Sequence, residues 1–162
     1  MVRALWLWLA LAAMGSTVAP ASPPQKDPPP RIAGFQARLF NSRTGALSAD
    51  VLAGQVELGN VPAGELASVS TLVVVDVDFG EGLPVPQKAR VRLVATEVGR
   101  RGPNRQLLDS TERPGPVAKD GTTHIAFWLP NTGCKTVTLR ATLLGASQRS
   151  TKTQTIPFAC YE

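Results

Sequence analysis

Past position 31, apolar and polar residues alternate along most of this chain with a period of two. Phe35, Ala37 and Leu39 share one parity against Gln36 and Arg38, the mark of a half-buried strand. Asn41-Ser-Arg-Thr-Gly45 then reads as a turn. A weaker strand runs through Gln55-Val-Glu-Leu58, and the strongest from Ser68 to Phe79. There Val69, Thr71, Val73, Val75, Val77 and Phe79 take one face, and Ser70, Leu72, Val74, Asp76 and Asp78 the other. Ala89 to Val98 sets Val91, Leu93 and Ala95 inward against Arg90, Arg92 and Thr96. The turn Arg100–Arg105 leads to a return over Gln106–Glu112. Thr123, Ile125, Phe127 and Leu129 alternate with His124, Ala126 and Trp128. The last pair is Val137-Leu139-Ala141-Leu143 with Ile156-Phe158-Cys160.

Short strands punctuated by Gly, Pro and Asn, with no competing helical period, predict an all-β fold: an antiparallel β-sandwich of seven or eight strands. In size and strand number the pattern resembles the immunoglobulin and fibronectin type III domains. The Cys-Trp-Cys order of true immunoglobulin domains is missing, because Trp6, Trp8 and Trp128 all precede Cys134. Residues 32–162 are expected to form one domain.

The N-terminus has a different composition. Arg3 precedes an apolar run of eleven residues, Ala4–Met14, and Ala19 and Ala21 supply an A-x-A spacing before Ser22. This is the form of a secretory signal, residues 1–21. The run is too short to cross a bilayer, which takes roughly 20 residues, so no transmembrane segment is expected in the mature chain. Residues 20–30 hold six prolines in eleven positions, and a disordered Pro-rich lead over 22–31 is expected. No N-x-[ST] sequon and no lipobox cysteine occurs. An exported protein of the bacterial periplasm or the extracellular space is the expectation.

Without Arg3, 16 basic residues against 12 acidic ones leave a mature charge of +4. That modest excess mainly serves solubility. Cys134 and Cys160 are the only cysteines, and in an exported chain two cysteines predict one bridge. They are equidistant from Ser147, so a symmetric hairpin sets them opposite each other. The same register opposes Val137 to Pro157 and Thr138 to Ile156, which splits the apolar sets between two faces. A one-residue bulge, at Pro157 or within Gly133–Lys135, is therefore expected. The bridge closes a loop of 27 residues and contributes about 3–4 kcal/mol in the loop-entropy account.

Four constellations are candidates for function. His124, the lone histidine, has no nucleophile elbow or other catalytic motif around it, so an enzyme is not expected. Asp76, Asp78 and Glu81 offer hard oxygens to calcium, but without the spacing or flanking helices of an EF-hand. Arg90, Arg92, Arg100, Arg101 and Arg105 fall in one hairpin, and their forks suit phosphate, sulfate or carboxylate groups on an anionic glycan or lipid. Glu97, Asp109 and Glu112 lie in the same hairpin and partly neutralise them. No aromatic residue interleaves, which disfavours nucleic acid. Trp128 has outward parity, suited to anchoring a partner or covering the rim of the core. The expected function is a non-catalytic binding or structural module of the cell envelope that needs no cofactor. Its partner is a protein or another envelope component. An anionic-ligand binder and a calcium-binding module are the alternatives.

Overall fold

The computed structural model describes residues 28–54, 58–59, 70–99 and 102–159. The leader, residues 22–27 of the lead, Arg100, Arg101 and Cys160 lie outside them, as do positions 55–57 and 68–69 of the expected strands. Seven strands are long: β1 (Arg31–Asn41), β4 (Ser70–Asp78), β5 (Arg90–Glu97), β6 (Arg105–Glu112), β7 (Thr122–Pro130), β8 (Val137–Leu144) and β9 (Ser150–Ile156). Three more have two residues each: β2 (Ala46–Leu47), β3 (Leu58–Gly59) and β10 (Phe158–Ala159). No helix occurs among the described residues. Two four-stranded antiparallel sheets, in the orders β2-β1-β4-β7 and β6-β5-β8-β9, make the sandwich-like body.

The core follows from the period-two pattern. Val73, Val75 and Val77 of β4, Leu129 of β7, Val91, Leu93 and Ala95 of β5, and Leu139, Ala141 and Leu143 of β8 are all fully buried. Withdrawing each valine or leucine from water contributes about 1.5–3 kcal/mol. Thr71 and Thr132 are buried in the same layer and satisfy each other through a 2.8 Å hydroxyl contact.

One feature departs from expectation: the strands are not all antiparallel, because β10 pairs with β3 in parallel, Phe158 beside Leu58. The β8–β9 ladder runs unbroken from Val137↔Ile156 to Leu143↔Ser150, one residue out of the symmetric register centred on Ser147. Both places expected for the bulge, Pro157 and Gly133–Lys135, lie beyond its ends. Burial decides the outcome: this register sets Val137 and Ile156, both fully buried, directly opposite each other. The ladder ends where Pro157, lacking an N–H, cannot extend it. Pro157 is exposed and Phe158 buried, so the inward parity continues into β10.

The free side of β1 is closed by side chains. Ser48 Oγ accepts from Leu39 N at 2.9 Å, and Asp50 Oδ1 accepts from Ala37 N at 2.8 Å. Nearer its start, Ser150 Oγ accepts from Ile32 N at 3.0 Å, and Lys152 Nζ donates to the Ala33 carbonyl. Each bond satisfies or covers a strand edge that otherwise invites another chain.

Candidate functional site

The alternation that buries one face of the β2-β1-β4-β7 sheet leaves the opposite face in solvent, and that face has two unlike ends. Register sets Arg38, Leu72 and Trp128 in one row across β1, β4 and β7, and Gln36, Val74 and Ala126 in the next. Trp128 is 45% exposed and Leu47 43%. The Trp128 and Phe40 rings meet edge to face, with centroids 5.4 Å apart and planes at 67°. The two rings reach toward each other across β4, and Leu47, opposite Phe40 in the β1–β2 pair, continues the apolar strip to the sheet margin. Strand faces open to water are ordinarily polar. A row of large apolar side chains on one needs another explanation.

The other end of the face is polar. Asp76 lies opposite His124, and its Oδ1 meets His124 Nδ1 at 2.7 Å. Gln36 Nε2 donates to both oxygens of the same carboxylate, at 3.3 and 3.4 Å. Asp78 pairs with Arg31 at 3.2 Å and accepts from Gly80 N at 2.9 Å. Both aspartates proposed for calcium are thus engaged by this chain's own donors, while Glu81 sits exposed in the turn that follows. Among the described residues no group of three His, Cys, Asp or Glu is placed to hold a metal ion. The His124 ring bonds to Asp76, and among the described hydrogen bonds no hydroxyl or thiol reaches it.

The arginines are dispersed over separate partners. Arg92 makes a two-pronged contact with Asp109 at 2.7 and 2.6 Å. That hydrogen bond, with the guanidinium charge, holds the Asp109 carboxyl below its usual range and raises Arg92. Arg105 Nη2 donates to Glu97 at 2.9 Å, and Lys135 Nζ to the other oxygen at 3.1 Å. Burial pushes Glu97 up, but Arg105 and Lys135 outweigh it and hold the carboxyl below the ordinary value. Arg90 Nη1 donates to the carbonyls of Ala89 and Gln87 at 2.7 and 3.2 Å. Arg100 and Arg101 lie outside the described residues. Cys134 stands half-buried in the β7–β8 connection and is not a free thiol, while its expected partner, Cys160, is not among the described residues.

The sequence pattern placed Trp128 outward but passed over Phe40 and Leu47. Phe40 has the outward parity of Gln36 and Arg38, and that was the available signal. The chain matches no protein-family model, and no curated protein shows significant similarity to it.

Proposed function

We propose that this chain is an exported, non-catalytic β-sandwich that serves the cell envelope as a binding or structural module. It engages its partner through the outer face of the β2-β1-β4-β7 sheet. The observation that carries this reading is the exposed Trp128, backed by Phe40 and extended by Leu47 on a face where polar residues are the rule. Large, partly rigid aromatic side chains are the usual anchors of protein interfaces. Export rests on the leader and the A-x-A spacing. A bridge between Cys134 and Cys160 completes the fold in this proposal and suits the oxidising compartment. The strand order supports a fibronectin type III-like arrangement over a constant-type immunoglobulin one. The fourth long strand, β6, joins β5 rather than β7, whereas the constant type carries its fourth strand beside the fifth. The anionic-ligand reading is weaker, since Arg92 and Arg105 are turned to Asp109 and Glu97.

The test is retention of the exported chain on envelope fractions, wild type against Trp128→Ala. An interface anchor of this kind carries about 2 kcal/mol or more, so retention falls about thirtyfold while the melting temperature holds. Unchanged retention of the variant refutes the reading.

A further inference from the structure

Among the described residues four strand edges bound the two sheets, and three of them are guarded. The β1 edge is closed by Ser48, Asp50, Ser150 and Lys152. The β9 edge carries Lys152, lies against the start of β1 through these same contacts and stops at Pro157. The β6 edge is broken by a register shift between Ala95 and Thr96 of its partner and carries Arg105, Asp109 and Glu112. Bulges, charges and covering segments are the devices by which natural sheets refuse further strands.

Among the described residues β7 has none of them between Thr123 and Leu129; at its start Ala118 N donates to the Thr122 carbonyl at 2.8 Å. It is nine residues long, pairs with β4 without irregularity from Thr122 to Pro130, and is the last strand of its sheet. It contains no Asp, Glu, Lys, Arg or Gly, and its single proline is its final residue. Among the described residues, no loop or side chain outside its sheet hydrogen-bonds to its backbone between Thr123 and Leu129. The strand that bears the exposed tryptophan is therefore also the open edge among the described residues.

Beside the reading that this face is the docking surface, we infer that a second copy of this chain adds edge to edge through antiparallel β7–β7 pairing on a dyad at Ala126. The sequence of β7 is self-complementary in that register. Parity is kept, so the core sides meet as Ile125 with Phe127 and Thr123 with Leu129 of the second copy. On the outer side Ala126 meets its own counterpart, the smallest side chain of the strand at the dyad. His124 meets Trp128 of the second copy, imidazole against indole. A register one residue away would oppose buried to exposed faces, and registers two away shorten the ladder. No charge on β7 faces its own kind across the dyad, so like-charge repulsion is absent. The contact is one strand plus an aromatic pair, below the standard interface size. The pairing is accordingly a reversible, concentration-dependent equilibrium.

The experiment is sedimentation of the exported chain from about 1 μM to about 500 μM, a span chosen for a weak association. It compares wild type, Ala126→Lys, Ala126→Glu and an equimolar mixture of the two variants. Ala126 is exposed, so both variants keep the fold, and their melts check this. The wild type dimerises within the range. Each variant alone weakens dimerisation about tenfold or more through like charges at the dyad, and the mixture recovers it through opposite ones. A wild type that stays monomeric throughout overturns the proposal, as does a dimer indifferent to charge at position 126. A monomer whose envelope retention still depends on Trp128 would sink the self-pairing alone and leave the docking face standing. A dimer with the charge pattern above, but with retention independent of Trp128, would sink the envelope reading instead.

Discussion

At the scale of single residues, backbone conformation and charge pairing make separable demands. Gly121 has φ +82°, and a Cβ there would stand 2.3 Å from the Gly80 carbonyl carbon and 2.5 Å from its oxygen. Its own carbonyl accepts from Phe79 N at 2.9 Å, so the β4–β5 and β6–β7 connections meet backbone to backbone. Gly45 has φ +70° with open space around it. Gly121→Ala therefore costs at least about 2 kcal/mol, strain and clash together, and Gly45→Ala about 1 kcal/mol, as thermal melts of the two variants will show. Glu97 contributes to the pH dependence. Its carboxyl is held below the ordinary value near 4.5, because Arg105 and Lys135 outweigh the opposing effect of burial. A depressed carboxylate stabilises the fold above its unfolded pKa, and that stability is lost as pH falls through the folded value. Asp109, depressed by Arg92, has the same sign. Glu97→Gln is expected to melt lower than wild type at neutral pH and to lose less on acidification below about pH 4.5. Equal slopes for the two proteins would contradict that account.

At the scale of elements, faces and the two hairpin pairings, β5–β6 and β8–β9, were readable, and neighbours distant in the chain were not. The β4 pattern, Thr71-Val73-Val75-Val77 inward, is what the alternation predicts and what burial shows. The β8–β9 register was only half legible. Cysteine spacing argued for one alignment and apolar parity for another, and the apolar alignment prevailed along the whole ladder. Fully buried Leu139 measures what that alignment holds together. Leu139→Ala is expected to cost about 2–5 kcal/mol, read from a denaturation midpoint with an unchanged slope. The sealing of β1 makes a different demand. Asp50 Oδ1 accepts from both Ala37 N and Leu52 N, at 2.8 and 3.0 Å. Asp50→Ala leaves a strand N–H without its partner and costs about 1–3 kcal/mol, while Asp50→Asn, which keeps a carbonyl oxygen there, recovers most of it.

At the scale of the whole molecule, one proposed covalent closure and one exposed face matter most. The proposed bridge ties the β7–β8 connection at Cys134 to the last segment of the chain. Cys134→Ser is expected to lower stability by about 3–4 kcal/mol, and reductant should lower the wild type by the same amount and leave the variant unchanged. A wild type indifferent to reductant would remove the bridge from the proposal. The candidate site is a property of this scale too. Trp128 and Phe40 come from β7 and β1, with β4 between them, and His124 reaches Asp76 only because β4 and β7 are adjacent in register.

Residue order alone carries the inward side of the core strands, the place of the main turns, the two hairpin pairings and the all-β character of the fold. A strand's side chains alternate with a period of two whatever lies beside it, and burial writes that period directly into the residue order. Which strands distant in the chain are neighbours, which edges are closed, and that Asp76, Arg92 and Arg105 are engaged within the chain follow from packing alone. Backbone hydrogen bonds join any two strands of suitable register and carry no residue code. The choice of neighbour therefore comes from the packing of the whole core, and with it the open edge of β7 beneath Trp128.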